Sequence, residues 1–146
     1  MEKGLLHAQR IALKASLCKT RIILADTQYW PECAYCGKPL VFQMPDMHEV
    51  FFPRGMFRGV KNLDVIANLY QRENCVLVHP GGSASPCHGG AHTREGKIRT
   101  IAHLLKWEGE QALRDYVEWF AAHFREKDLI ASEALDLIRL AKELRK

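Results

Sequence analysis

Two stretches of the 146-residue chain carry residue types that bind metals and move protons: PECAYCGKPL at 31–40 and CVLVHPGGSASPCHGGAH at 75–92. Cys33 and Cys36 form a CxxC pair followed by Gly37. That is a zinc-knuckle half-site, because a two-residue spacer lets two thiolates reach one ion and a glycine fits the tight turn behind them. A tetrahedral Zn²⁺ needs two more ligands, and Cys75, His79, Cys87, His88 and His92 all lie downstream. CVLVH reads as a strand, whose alternate residues face opposite sides, so Cys75, Leu77 and His79 share one face. His79 ends that strand where the chain turns at Pro80-Gly81-Gly82, and Cys87 follows the turn and can return to the same ion. The reading is a structural zinc held by Cys33, Cys36, His79 and Cys87. Cys75, a strand's length away, is read as a buried thiol of apolar character.

The elements that must position these residues follow from local pattern. Residues 2–18 are expected to form a helix, and RIIL at 21–24 a short strand. MHEVFF at 47–52 is rich in strand formers and is stopped by Pro53 and Gly55, and a helical turn or two is expected around NLDVIANLY. From Lys97 onward apolar residues recur at helical spacing. One helix reaches Gly109, a second covers Ala112 to Phe124, and a third covers Leu129 to Leu144 with Ser132 as N-cap. The fold class is therefore α+β in one domain over 1–146. An N-terminal helical segment (1–28) and a C-terminal helical hairpin or bundle (96–146) flank a small metal-bearing centre (29–95). The aromatic residues of the last third are read as helix-packing core.

Composition excludes several classes. Apolar residues make up 47% and charged residues 26%, a globular balance. No apolar run approaches the roughly 18–20 residues that span a bilayer, and the first residues lack a cleavage-site pattern, so a cytoplasmic protein is expected. Five cysteines without a secretion signal argue against a disulfide framework. The net charge is +4, and its excess lies before residue 100, with the metal-ligand candidates.

CAYC, then MHEVFF, then ENCVLVH, then PCHGGAH is an order that resembles the HNH endonucleases of the ββα-metal class, phage-type members with a zinc knuckle among them. The resemblance covers about residues 33–92. It implies a zinc-stabilised ββα-metal core and metal-dependent hydrolysis of DNA phosphodiester bonds, with nicking of single strands. By resemblance His48 is the general base that activates water, a role suited to an imidazole with a pKa near ~6.5. Asn74 matches the asparagine that orients the site or helps hold the metal. His88 and His92 match ligands of a catalytic divalent ion, Mg²⁺, Mn²⁺ or Zn²⁺, and on a helix four residues bring both imidazoles to one face.

There are departures. Met47 stands where the family commonly has a metal-binding acid or histidine, and side-chain alternation puts Asp46 on the face of His48 as a substitute ligand. A second register makes His48 the ligand and Glu49 the base. The loop between His79 and Cys87 is also longer than members often have. Arg54, Arg58, Lys61 and Arg72 flank the expected site as phosphate contacts. The expected partner is DNA, with no membrane. A homodimer or a larger phage protein complex is the expected assembly. The rival reading is a non-catalytic, zinc-stabilised module that binds nucleic acid or docks a partner through its C-terminal helices.

Overall fold

The computed structural model describes residues 2–57 and 60–145. It is a mixed fold of helices and two small antiparallel hairpins. Helix α1 (Glu2–Thr20) leads into β1 (Ile22–Ala25), which pairs with β2 (Gln28–Pro31) across a two-residue turn. Asp26 takes the left-handed conformation in that turn, with φ 55°. The second hairpin joins β3 (Asp46–Glu49) to β4 (Cys75–Val78) across 25 intervening residues that include α2 (Leu63–Ala67), whose N-cap is Asn62. Then come α3 (Pro86–Ala91), α4 (Arg94–Glu108), α5 (Glu110–Ala121) and α6 (Lys127–Arg145).

Several boundaries differ from the sequence reading. The first strand begins one residue late because Arg21 is withdrawn into the core. Its side chain is fully buried, donates to the carbonyls of Cys75 and Arg72 (2.6 Å each), and pairs with Glu108 at 2.9 Å. Strand β3 ends at Glu49 rather than running to Phe52. Val50 still donates to the Asn74 carbonyl, but the amides of Phe51 and Phe52 turn to the Asn74 side chain. Helix α4 starts at Arg94 because the Thr93 hydroxyl accepts from the Gly96 amide. Helix α6 starts at Lys127, which puts Ser132 inside the helix instead of at its cap.

One cluster of buried apolar residues runs from Leu17 of α1 through β3 and β4 to Ala141 of α6. The C-terminal helices cover the exit of β3. Phe120 stacks on Phe52 at 4.2 Å, and the Tyr116 hydroxyl donates to the Asn68 carbonyl at 2.8 Å. Trp119 alone among these aromatics is largely exposed. Close backbone approach holds α4 on α3: a Cβ at Gly96 would lie 1.8 Å from the Gly90 carbonyl oxygen. No helix among the described residues is long and apolar enough to cross a membrane.

Candidate functional site

The β3–β4 register pairs Asp46 with Val78, Met47 with Leu77, His48 with Val76 and Glu49 with Cys75. Alternation therefore gives the hairpin two chemically distinct faces. Met47, Leu77 and Cys75 share one face, and all three are buried core residues. Asp46 and His48 look the other way. Glu49 lies on the Met47 side, where its charge acts on Tyr70 and Cys75 rather than on the histidines.

The knuckle is built by a tight turn. The Gly37 amide donates to the Cys33 carbonyl, Cys33 donates to the Lys38 carbonyl, and Gly37 has φ 75°, which a side chain would strain. The Ala34 amide ties the knuckle to Leu77 of β4 at 2.8 Å. This brings Cys33, Cys36, His79 and Cys87 together with their ligand atoms all within 4.8 Å of one another. The His79 Nδ1 lies 3.5 Å from both the Cys36 and Cys87 sulfurs. Zinc–sulfur and zinc–nitrogen bonds of about 2.3 and 2.05 Å set sulfur and nitrogen ligands of a tetrahedral ion about 3.6 Å apart, so the donor set fits zinc. The protonation states agree. Burial and the neighbouring Cys33 and Cys36 sulfurs push the Cys87 thiol up to about 12. Burial also raises Cys33, although amides of Cys36, His79 and Tyr35 hydrogen-bond its sulfur and pull the other way. The raised thiols of Cys33 and Cys87 give up their protons to a cation more readily than to water. A fourth cysteine near the hairpin, Cys75, is fully buried and lies outside the group.

Cys87 and His88 are adjacent on α3, and successive residues on a helix point about 100° apart. Cys87 faces the knuckle. His88 faces a second group, with His48 and His92, whose nitrogens also lie within 4.8 Å of one another. The His88 and His92 rings stack at 5.2 Å with 10° between planes, and the His48 ring stands edge-on to both at 5.4 and 4.7 Å. The glycines between His88 and His92 lower helix propensity, yet α3 forms. Ser85 caps it, Pro86 occupies its first turn, and Gly90 packs flat on the Tyr35 ring, where a Cβ would sit 2.6 Å away. Ser85 also joins the two groups, donating its hydroxyl to the His79 carbonyl and accepting from the His88 amide.

Asp46 is not in the histidine group, contrary to the ligand set His88, His92 and Asp46 expected from sequence. Its carboxylate contacts His88 Nδ1 at 2.8 Å and accepts the Gly82 amide at 2.9 Å. Burial works against the carboxylate, but these contacts outweigh it and hold its pKa below the ordinary value. His88 is thus left with Nε2 for a ligand, the arrangement in which a carboxylate fixes ring orientation and tautomer behind a metal-binding histidine. His48 takes the third place in the group. It is 4% exposed, and its Nε2 is buried with no hydrogen-bond partner among the described residues. Burial, then the charges of His92, His88 and Lys97, lower its pKa to about 4, so it is neutral at pH 7. A buried imidazole nitrogen without a partner suits a ligand or a proton acceptor.

Asn74 is fully buried and spent on backbone. Its Oδ1 accepts from Phe51 and Phe52 (2.9 Å each), and its Nδ2 donates to the carbonyls of Phe52 and Leu69 (3.0 and 3.1 Å). With every valence used, it has none for a metal, and its part is to fix the chain that leaves the His48 strand. Of the expected phosphate contacts, Arg72 is engaged with Glu108, Ser16 and Thr20. Arg54 is exposed near Tyr70 and α1, Lys61 is exposed, and Arg58 lies outside the described residues. The sequence reading passed over Arg94 and Lys97. Their signal was present: two basic residues within five positions of His92. Both line a cavity of about 390 Å³ beside His92. Comparison of the chain with protein-family models, with curated proteins and with solved structures found no match.

Proposed function

We propose that the chain is a metal-dependent DNA endonuclease with an HNH-type centre, in which a structural zinc on Cys33, Cys36, His79 and Cys87 fixes α3 against the β3–β4 hairpin. The observation that carries this reading is the convergence of His48, His88 and His92, from a strand and a helix, on one point beside the zinc-type group. His88, oriented by Asp46, and His92 would hold a divalent ion, which when bound supplies Lewis-acid stabilisation of charge developing on the phosphate and on the leaving oxygen. His48 accepts the proton of the attacking water at its unpartnered Nε2. The imidazole is kept neutral and ready, and a phosphodiester brought beside it adds negative charge that raises its proton affinity toward the working pH. Asn74 holds the backbone that follows the His48 strand.

A second reading is favoured by the same distances: His48 serves as a third protein ligand, and the centre is a three-histidine metal site without a histidine base. Incubation with supercoiled plasmid plus Mg²⁺, Mn²⁺ or Zn²⁺ tests the proposal. The expected result is nicking by the wild-type protein and loss of nicking in His48→Ala with the structural zinc retained. DNA left intact with every metal refutes the nuclease. The affinity of the His48→Ala protein for the second ion then decides between the readings: unchanged for a base, weakened for a ligand.

A further inference from the structure

The cavity beside His92 is lined by His92, Arg94 and Lys97 on one side and by Glu133, Asp136 and Leu137 of α6 on the other. Neither Arg94 nor Lys97 has a carboxylate partner among the described residues, whereas Arg99 and Arg114 on neighbouring helical surface each pair with a glutamate one turn away. Lys97 is also half-buried, and its charge reaches His48. An ammonium kept partly out of water without a counter-charge is unfavourable in the free protein and becomes favourable when an anion arrives. On the opposite wall, Asp136 is already paired with Arg139 at 2.7 Å, so two free cations face one free carboxylate, Glu133. The histidine side chains beside the cavity carry no negative charge that would offset them.

We propose that Lys97 and Arg94 form a phosphate-binding clamp that receives the DNA backbone next to the histidine group. The clamp rests on the endonuclease reading for its ligand. It places the DNA track along the first turn of α4, rather than along the loop carrying Arg54 and Lys61. Lys97, the more buried of the pair, contacts the phosphate nearest His48. Arg94, exposed at the rim, contacts a neighbouring one.

The test is equilibrium binding of a fluorescent duplex oligonucleotide across a range of salt concentrations, without added catalytic ion, so that it reads binding apart from cleavage. Each phosphate contact on duplex DNA contributes about 0.9 to the slope of log affinity against log salt. Lys97→Gln is expected to lower the magnitude of the slope by about 1 and the affinity roughly tenfold, and the Lys97→Gln/Arg94→Gln pair to lower the slope by about 2. Lys97→Arg is expected to restore the slope. Lys142→Gln, which removes a charge paired with Glu110, is expected to leave it unchanged. Zinc content checks that each variant is folded. An unaltered slope in the folded Lys97→Gln protein overturns the clamp, as does an equal fall in Lys142→Gln or absence of DNA binding by the wild type. A clamp that passes while the plasmid is never nicked refutes the nuclease and leaves the binding site standing. A nicking enzyme whose slope ignores Lys97 does the reverse.

Discussion

Removing the Asn74 side chain tests whether this residue acts on the chain or on the chemistry. In Asn74→Ala the amides of Phe51 and Phe52 and the carbonyls of Phe52 and Leu69 all lose their partner at a site with no solvent exposure. At a net ~1 kcal/mol for each hydrogen bond, the loss is about 4 kcal/mol, with some recovery if water enters the space. That is a large share of the 5–15 kcal/mol typical of a whole domain. Asn74→Asp preserves shape and both accepted bonds, but it turns an oxygen toward two carbonyl oxygens and buries a charge, so it is expected to be at least as damaging. Urea unfolding of the zinc-loaded proteins, followed by tryptophan fluorescence, reads the effect. The expected result is a midpoint lowered in both variants, with Asp no better than Ala. A variant as stable as wild type but deficient in binding the second ion would refute the backbone role and make Asn74 a ligand.

Asp46→Asn keeps a side chain of the same size beside His88 but removes the charge that fixes its ring. Affinity for the second ion is expected to fall about 10–100-fold with the structural zinc untouched, as titration with a chromogenic chelator would report. Cys87→Ser is expected to release the structural zinc and to loosen α3, seen as loss of bound metal on dialysis. In the wild type the Cys87 thiol is pushed up to about 12, so uptake of zinc at pH 7 must expel protons, which calorimetry in buffers of different ionisation heat counts. His48 and His103 are both buried neutral, with pKa values lowered by burial first to about 4 and about 3. The folded state resists protons that the unfolded chain accepts near ~6.5, so stability is full above that pH and lost as pH falls toward 4. Replacing His103 by Leu is expected to remove about 2 kcal/mol of the decline between pH 7 and 5, read as a smaller difference between urea midpoints.

The groups that could hold a metal were legible in the sequence because ligand chemistry belongs to residue types and short spacings. CxxC closes on one ion through its own turn, and His88 and His92 share a helix face by period alone. Strand alternation likewise separated His48 from Met47, and the length of the strand set Cys75 apart from His79, with which it shares a face. Helices α1 and α4 to α6 followed from apolar periodicity, and only their ends moved, where the Thr93 cap and the early start at Lys127 prevailed. The first hairpin's second strand, QYWP, went unread because two exposed and two half-buried residues carry no alternation.

What remained for the tertiary structure depends on partners far apart in the chain. Asp46 pairs with His88, 42 residues on, and lies outside the three-histidine group. Asn74 was spent on Phe51 and Phe52, and Arg72 on Glu108, 36 residues away. Each of these side chains had a plausible task in the sequence. Buried polar groups must be satisfied, and only the packed chain decides which neighbour satisfies them. By the same rule the groups left without partners, His48 Nε2 and the cations Arg94 and Lys97, are the ones on which the two proposals rest.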